Sequence, residues 1–139
     1  KIGNNVIIAN NVPLGGHVTI EDSVVIGGNS AVQQFTRIGR LAMIGGMTGV
    51  LKDVIPFGLS IGNRNYLQGL NLIGLRRKKY DNQKIMGLSK AYKEIFASKN
   101  LHENLSKING ENKNNELVKE VIAFISKDKK RPICSPIAE

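Results

Sequence analysis

The chain has 139 residues, of which 20 are lysine or arginine and 11 are aspartate or glutamate, so its formal net charge is +9. Cys134 is its one cysteine, which excludes an intramolecular disulfide and suits a reducing compartment. No apolar run approaches the roughly 20 residues that a membrane-spanning helix needs, and no signal pattern opens the chain, so we expect a cytoplasmic protein without membrane insertion.

Aliphatic residues recur every six positions in the first part of the chain. They are Ile2, Ile8, Leu14, Ile20, Ile26, Val32, Ile38, Ile44 and Val50. Glycine often follows the aliphatic residue, and a small or β-branched residue lies four positions after it. A strict period of six fits neither a helix nor a lone strand, but it is typical of a solenoid in which each repeat supplies one strand and one turn. We expect the glycines to take turn dihedrals that a Cβ would oppose.

Three such repeats make one coil of 18 residues, so residues 18 apart should lie directly above one another. The predicted inner columns are Ile2, Ile20 and Ile38, then Ile8, Ile26 and Ile44, then Leu14, Val32 and Val50. These buried aliphatic residues serve packing, and any chemistry must lie on outward positions. Because terminal repeats normally carry a cap, a chain in register from Lys1 predicts the later part of a longer solenoid.

The repeat ends at Pro56, and the sequence Pro56-Phe57-Gly58 predicts a turn out of the solenoid. Apolar residues then follow helical spacing. They predict helices around Leu67 to Ile73, after the N-cap candidate Asp81, around Leu101 to Ile108, and around Leu117 to Ile125, followed by a loose tail from Lys127. The predicted fold is therefore a left-handed parallel β-helix of about three coils over residues 1–57 and a small α-helical C-terminal domain over residues 58–139.

Several motifs give this pattern a specific resemblance. The segments LGGHV (14–18), IGGNSAVQQF (26–35) and IGGMTGV (44–50) resemble the hexapeptide-repeat acyltransferases. The continuation GNRN (62–65), GLN (69–71) and GLRR (74–77) is similar to the acyl-carrier-protein-dependent UDP-N-acetylglucosamine O-acyltransferases of lipid A biosynthesis. The resemblance covers nearly the whole chain but only the later half of the family's proteins. It implies transfer of an (R)-3-hydroxyacyl group from acyl carrier protein to the sugar 3-hydroxyl, the first step of lipid A biosynthesis.

The resemblance also implies roles for outward residues. His17 matches a histidine that contacts substrate, and Gly16 matches the position whose amide N–H faces the developing oxyanion. Gln33 replaces a usual histidine and Gln34 keeps a residue that contacts the sugar nucleotide. The family's general-base histidine would lie in a coil before Lys1, so we expect residues 1–139 to bind substrate weakly and to turn it over at no useful rate.

Further matched positions concern the acyl chain and the nucleotide. Gly46 matches the acyl-chain ruler, where a glycine leaves room for a long chain. Asn71, Arg76 and Arg77 match positions that bind the uridine and phosphate region. Without the resemblance, His17 would be a solvent-facing solenoid residue, Gly46 a turn glycine, and residues 76–79 a solvated basic turn.

The resemblance further implies a homotrimer with shared active sites, no metal, and no cofactor apart from the phosphopantetheine that carries the acyl donor. Charge fits an acidic carrier protein as partner, because residues 1–57 hold a net charge of +1 and residues 58–139 a net charge of +8. Aromatic residues do not interleave with the basic run, which argues against a nucleic-acid binder. With His17 alone in the solenoid, a zinc site is disfavoured. An acyltransferase with a different acceptor and a non-catalytic solenoid fragment remain alternatives.

Overall fold

Two-residue strands separated by turns build the first part of the chain. The computed structural model describes residues 1–63 and 65–137, so Arg64 of the GNRN segment lies outside the described residues. The short strands are β1 (Ile7–Ile8), β2 (Thr19–Ile20), β3 (Val25–Ile26), β4 (Ala31–Val32), β5 (Arg37–Ile38), β6 (Met43–Ile44) and β7 (Gly49–Val50). Each strand ends on the aliphatic residue of its repeat, and from β2 onward that residue is buried. The period of six thus arises because one inward aliphatic side chain is needed per strand.

Neighbouring strands are parallel, and each residue pairs with the residue 18 positions further along the chain. Ile8 pairs with Ile26 and Ile26 with Ile44, and isolated bridges join Ile2 to Ile20 and Leu14 to Val32. The strands fall into three sheets, with orders β1-β3-β6, β2-β5 and β4-β7. The three inner columns predicted from the sequence are confirmed by these registers.

The repeat glycines serve a different purpose from the predicted one. Among the described glycines only Gly62 has a positive φ, of 86°. The left-handed position of each turn instead holds a non-glycine residue, among them Asn5, Asn11, His17, Ser23, Asn29, Phe35, Leu41 and Met47. A Cβ at Gly15 would collide with the backbone of Gln34, and one at Gly27 with the backbone of Gly46. These glycines are therefore required because adjacent coils approach closely.

The solenoid does not end at Pro56. Strand β8 (Gly58–Ile61) pairs in parallel with β6 through Met43 and Leu59, so the spacing falls from 18 to 16 residues and the chain stays in the same sheet. Strand β9 (Tyr66–Leu70) then pairs antiparallel with β8. The helix predicted around Leu67 to Ile73 is wrong at its start, because the first helix begins only at Leu72.

Five helices follow in the residues that the structure describes. They are α1 (Leu72–Arg77), α2 (Asn82–Ile95), α3 (Leu101–Ser106), α4 (Gly110–Lys113) and α5 (Glu116–Lys127). Asp81 caps α2 as predicted, since its side chain accepts a hydrogen bond from the Gln83 amide. Asn109 caps the single turn α4, since its side chain accepts a hydrogen bond from the Glu111 amide. The apolar face of α5, from Leu117 to Ile125, is buried in this helical unit.

The C-terminal tail is ordered rather than loose. Ile133 bridges to Asp53, and the Asp53 amide donates a 2.9 Å hydrogen bond to the carbonyl of Pro132. Cys134 is fully buried. Its thiol donates to the carbonyl of Asn65 at 2.9 Å. Backbone pairing and a buried side chain therefore tie this segment to the repeats.

The chain divides into two compact units. One comprises residues 1–71 and the segment from Lys130 onward, and the other comprises residues 72–129. The first unit thus extends past the predicted boundary at residue 57, because β8 and β9 continue its sheet. None of the helices that the structure describes combines the length and the apolar character that crossing a membrane requires.

Candidate functional site

The turn that carries Gly15, Gly16 and His17 is held by hydrogen bonds to the next coil. The Gly15 amide donates to the carbonyl of Val32 at 2.8 Å, and the carbonyl of Gly16 accepts from the Phe35 amide at 2.9 Å. The Gly16 amide itself has no hydrogen-bond partner among the described residues. A Cβ at Gly16 would meet nothing within 4 Å. Gly16 is exposed, so its N–H group is unengaged in the same turn as His17.

The turn one coil further on holds Gln33, Gln34 and Phe35. All three side chains are exposed, and the Gln33 amide donates to the carbonyl of Val50 at 2.9 Å. The structure thus places Gln33 and Gln34 directly beyond Gly15 and Gly16 on the same face. The backbone geometry brings together four of the predicted site residues: Gly16, His17, Gln33 and Gln34.

Phe35 is part of this cluster although the sequence analysis did not select it. Its ring stacks on the imidazole of His17, with centroids 5.1 Å apart and an interplanar angle of 5°. Phe35 is 53% exposed, so the pair presents a flat aromatic surface to solvent. The spacing of 18 from His17 was a signal that could have identified it.

Gly46 lies on a different column of turns. The neighbouring Met47 amide donates to the carbonyl of Gly28 at 2.9 Å, in the column that also contains Asn29. A Cβ at Gly46 would approach the Gly28 oxygen to 3.3 Å, so even one carbon fits there only tightly. Within one chain, therefore, Gly46 and His17 belong to separate corners of the coil.

Asn71 contacts the third column of turns, which contains Leu41 and Phe57. Its side-chain amide donates to the carbonyl of Leu41 at 3.0 Å, and its backbone amide donates to the carbonyl of Phe57 at 2.7 Å. Asn71 thus fastens β9 to a turn of the repeats. Any contact that it makes with a ligand has to leave this structural hydrogen bond in place.

Arg76 and Arg77 form the last turn of α1 in the helical unit, and both are exposed. The chain reverses directly after them, since Lys79 has a φ of 61° and its amide donates to the carbonyl of Arg76 at 2.9 Å. Cations at a helix C-terminus are favoured by the helix dipole, so this position stabilises α1 as well as offering guanidinium groups to an anion.

A buried ion cluster lies in the same unit as His17. The carboxylate of Asp53 is fully buried and accepts from the Arg37 side chain at 2.7 Å and from the Arg131 side chain at 3.0 Å. The Arg37 backbone amide adds a third contact, at 3.0 Å. The contact between Asp53 and Arg131 joins residues 78 positions apart, so the cluster fastens the tail and stabilises the fold.

The residues that the structure describes contain no group of three or more His, Cys, Asp or Glu side chains able to hold a metal ion. Burial raises the pKa of the Cys134 thiol to about 11, which disfavours the thiolate that a nucleophile or metal ligand would need. Around His17, the groups available for chemistry are the Gly16 amide, the imidazole itself and the Gln33 and Gln34 amides.

Comparison with known proteins gives this site a context. A family model described as "Udp N-acetylglucosamine O-acyltransferase; Domain 2" matches residues 53–134. A protein of Rhizobium leguminosarum bv. trifolii named acyl-[acyl-carrier-protein]--UDP-N-acetylglucosamine O-acyltransferase is 45% identical over 137 residues, covering 98% of this chain and 50% of the relative. A protein of the same name from Nautilia profundicola is 46% identical over 129 residues, covering 93% of this chain and 50% of the relative.

Solved structures agree with these relatives. The Arabidopsis UDP-N-acetylglucosamine acyltransferase superposes with a TM-score of 0.91 at 36% identity, covering 96% of this chain and 50% of that one. The UDP-N-acetylglucosamine O-acyltransferase of Moraxella catarrhalis gives a TM-score of 0.86 at 33% identity, covering 94% and 51%. The chain spans about half the length of the curated relatives it matches.

Proposed function

The chain belongs to the UDP-N-acetylglucosamine O-acyltransferase family, and we propose that it forms the later part of an enzyme that transfers an (R)-3-hydroxyacyl group from acyl carrier protein to the 3-hydroxyl of UDP-N-acetylglucosamine. The observation that carries the proposal is the unengaged Gly16 amide beside His17, in a chain 45% identical to relatives of that name. The reaction would be the first step of lipid A biosynthesis.

In the proposed mechanism a general base, supplied by residues outside 1–139, takes the proton of the sugar hydroxyl. The hydroxyl oxygen then attacks the thioester carbonyl, and the negative charge moves to the carbonyl oxygen. The fixed Gly16 N–H donates to that oxyanion, a contribution worth about 2.7–4 kcal/mol for one preorganised donor. When the carbon–sulfur bond breaks, the carrier's thiolate leaves and takes up a proton. No cofactor beyond the carrier's phosphopantetheine enters the scheme.

His17, Gln33 and Gln34 would position the acceptor. The two amide side chains can donate and accept hydrogen bonds with sugar hydroxyls, and neither titrates near neutral pH. Because Phe35 covers only one face of the His17 ring, the nitrogens at the ring edge would remain available to a bound sugar. Asn71, Arg76 and Arg77 would bind the uridine and phosphates, with guanidinium groups on the phosphate oxygens.

The proposal includes a homotrimer of left-handed parallel β-helices. Its support is that Gly46 and His17 occupy different columns of turns in one chain, so an acyl groove using Gly46 and a sugar site using His17 fit a cleft between neighbouring copies. Gly46 would then leave space for a long acyl chain. The net charge of +8 in residues 58–139 would favour an acidic carrier protein, and the proposed location is the cytoplasm.

The test is an assay of the complete protein with purified carrier protein. Incubation with (R)-3-hydroxyacyl carrier proteins of increasing chain length and UDP-N-acetylglucosamine should give an O-acylated sugar nucleotide, detected by mass spectrometry. The Gly46→Met variant should shift the preference toward shorter donors. Acylation of another UDP-sugar instead of UDP-N-acetylglucosamine would favour the different-acceptor alternative, and no product with any acceptor would favour a scaffold.

A further inference from the structure

A groove in the helical unit is lined by none of the residues assigned to acyl transfer. Its volume is about 560 Å³, and helices α3, α4 and α5 form its walls. Its lining combines apolar side chains, three lysines and the polar residues His102, Ser106 and Ser126.

The lining residues follow helical spacing, so the groove is a continuous surface of two helices. Helix α3 contributes positions 102, 105 and 106, and α5 contributes positions 119, 122, 123 and 126. Residues three and four apart lie on one face of a helix. The opposite face of α5 carries Val118, Val121 and Ile125, which are buried in the unit. Helix α5 therefore has a structural face and a second face directed into the groove.

The groove combines an apolar floor with a cationic rim. Leu105, Ile122 and Ala123 supply the floor, and no acidic residue is among the lining residues. Lys113, Lys119 and Lys129 form no ion pair with any residue in the described part of the chain. Two other lysines of the unit are paired, Lys84 with Glu116 and Lys107 with Glu103. Three unpaired ammonium groups beside apolar surface create a site for a molecule that is both anionic and apolar.

We propose that this groove binds an anionic amphiphile with a single alkyl chain. The chain would cover Leu105, Ile122 and Ala123, while the lysine ammonium groups and the hydroxyls of Ser106 and Ser126 would bind a carboxylate or phosphate head group. The volume lies in the range of small-ligand sites, roughly 300–1,000 Å³. A floor of three apolar side chains is short for a partner helix, which needs anchors over about two turns. This site is independent of the proposed acyl transfer.

Binding can be measured on the 139-residue chain by calorimetry and by amide NMR. The probes are dodecanoate and dodecyl phosphate below their micelle concentrations, with 1-dodecanol and hexanoate as controls for charge and chain length. Both dodecyl anions should bind and shift amides of α3 and α5, and the tighter one identifies the preferred head group. Dodecanol and hexanoate should bind at least about tenfold more weakly, because each lacks one of the two matched features.

Matched variants separate the groove from general charge. Replacing Lys113, Lys119 and Lys129 together by Gln should weaken dodecanoate binding about tenfold. The same change at Lys90, Lys93 and Lys99, which lie outside the groove, should weaken it less than about twofold. Ala123→Glu, at an exposed helical position, should abolish binding.

Three results would overturn the proposal. Equal losses in the two triple variants would show a nonspecific charge effect, and equal affinity for dodecanoate and dodecanol would show apolar adsorption only. If dodecanoate does not bind while an acidic amphipathic peptide shifts the same amides, the groove is a protein-docking surface instead.

Discussion

The imidazole of His17 and the phenyl ring of Phe35 lie parallel, with centroids 5.1 Å apart, although each residue is at the left-handed position of its turn. Neither residue favours that backbone conformation, which costs roughly 1–2 kcal/mol for residues with a Cβ. Backbone hydrogen bonds between coils hold both turns, which places the two residues one above the other in adjacent coils. The predicted substrate-contacting histidine therefore has one ring face covered by Phe35.

We expect Phe35→Leu to release the His17 ring, whereas Phe35→Tyr should retain the stack. NMR of the 139-residue chain provides the measurement, because a stacked phenyl ring moves the imidazole proton resonances upfield. The shift should be present in the parent chain and in the Tyr variant and absent in the Leu variant. In the complete enzyme, Phe35→Leu should lower kcat/KM several-fold while Phe35→Tyr stays near the parent. Unshifted His17 resonances in the parent chain would contradict this prediction.

Two adjacent glycines should respond in opposite ways to alanine. Gly15→Ala would drive a Cβ into the backbone of Gln34 and should lower the free energy of unfolding by about 2–3 kcal/mol or more. Gly16→Ala places its Cβ in open space at a backbone conformation without positive φ, so stability should change by less than about 1 kcal/mol. Urea denaturation of both variants makes the comparison. Equal losses would show that dihedral preference rather than clearance selects glycine.

This contrast shows what the sequence could and could not predict. The columns through Ile20, Ile26 and Val32 were predictable, because burial in stacked coils imposes a strict period on the aliphatic residues. A recurring glycine in the sequence has two possible causes: a backbone conformation that only glycine favours, or a neighbouring backbone too close for a Cβ. Both causes produce the same sequence pattern. The distance between adjacent coils in the structure shows which cause applies.

Long-range pairing accounts for the errors in the second part of the chain. The tail was expected to be loose because its local pattern has two prolines and no apolar period. What orders it is the contact between Asp53 and Arg131, 78 residues apart, which no local pattern records. Strand β9 was mistaken for a helix because Leu67 and Leu70 also fit helical spacing, while its pairing with β8 decides the structure.

Asp53 should be among the costliest positions to change. Asp53→Ala removes the fully buried carboxylate that binds both Arg37 and Arg131. We expect a loss of about 3–5 kcal/mol in the free energy of unfolding, which is typical when one partner of a buried ion pair is removed. The control is Asp22→Ala, which removes an exposed carboxylate bonded to the Asn4 amide and should cost less than about 1 kcal/mol. Denaturant unfolding measures both losses. Faster trypsin cleavage near Arg131 in the Asp53 variant alone would show that the tail has been released.

Cys134 should make stability fall at alkaline pH. Burial raises the pKa of its thiol from 9.0 to about 11, so between these values the unfolded chain releases a proton that the folded chain keeps. The folded state then binds more protons, and its stability must decrease as pH rises from 9 to 11, by about 1–3 kcal/mol. The parent chain should lose that much more than Cys134→Ala over this range, measured by urea denaturation at each pH. Parallel pH profiles for the two chains would exclude the thiol as the cause.

Arg77 tests the nucleotide end of the proposed site. In the complete enzyme, Arg77→Ala should weaken binding of UDP-N-acetylglucosamine by roughly 1.5–3 kcal/mol, because a charge-assisted hydrogen bond to phosphate is lost. Lys78→Ala removes an equal charge from the adjacent exposed position and should change the Kd less than about threefold. Calorimetry at low and high salt gives both values, and the Arg77 effect should shrink as salt rises. Equal Kd values for the two variants would show that Arg77 is a solvated surface residue of α1 that does not bind the phosphates.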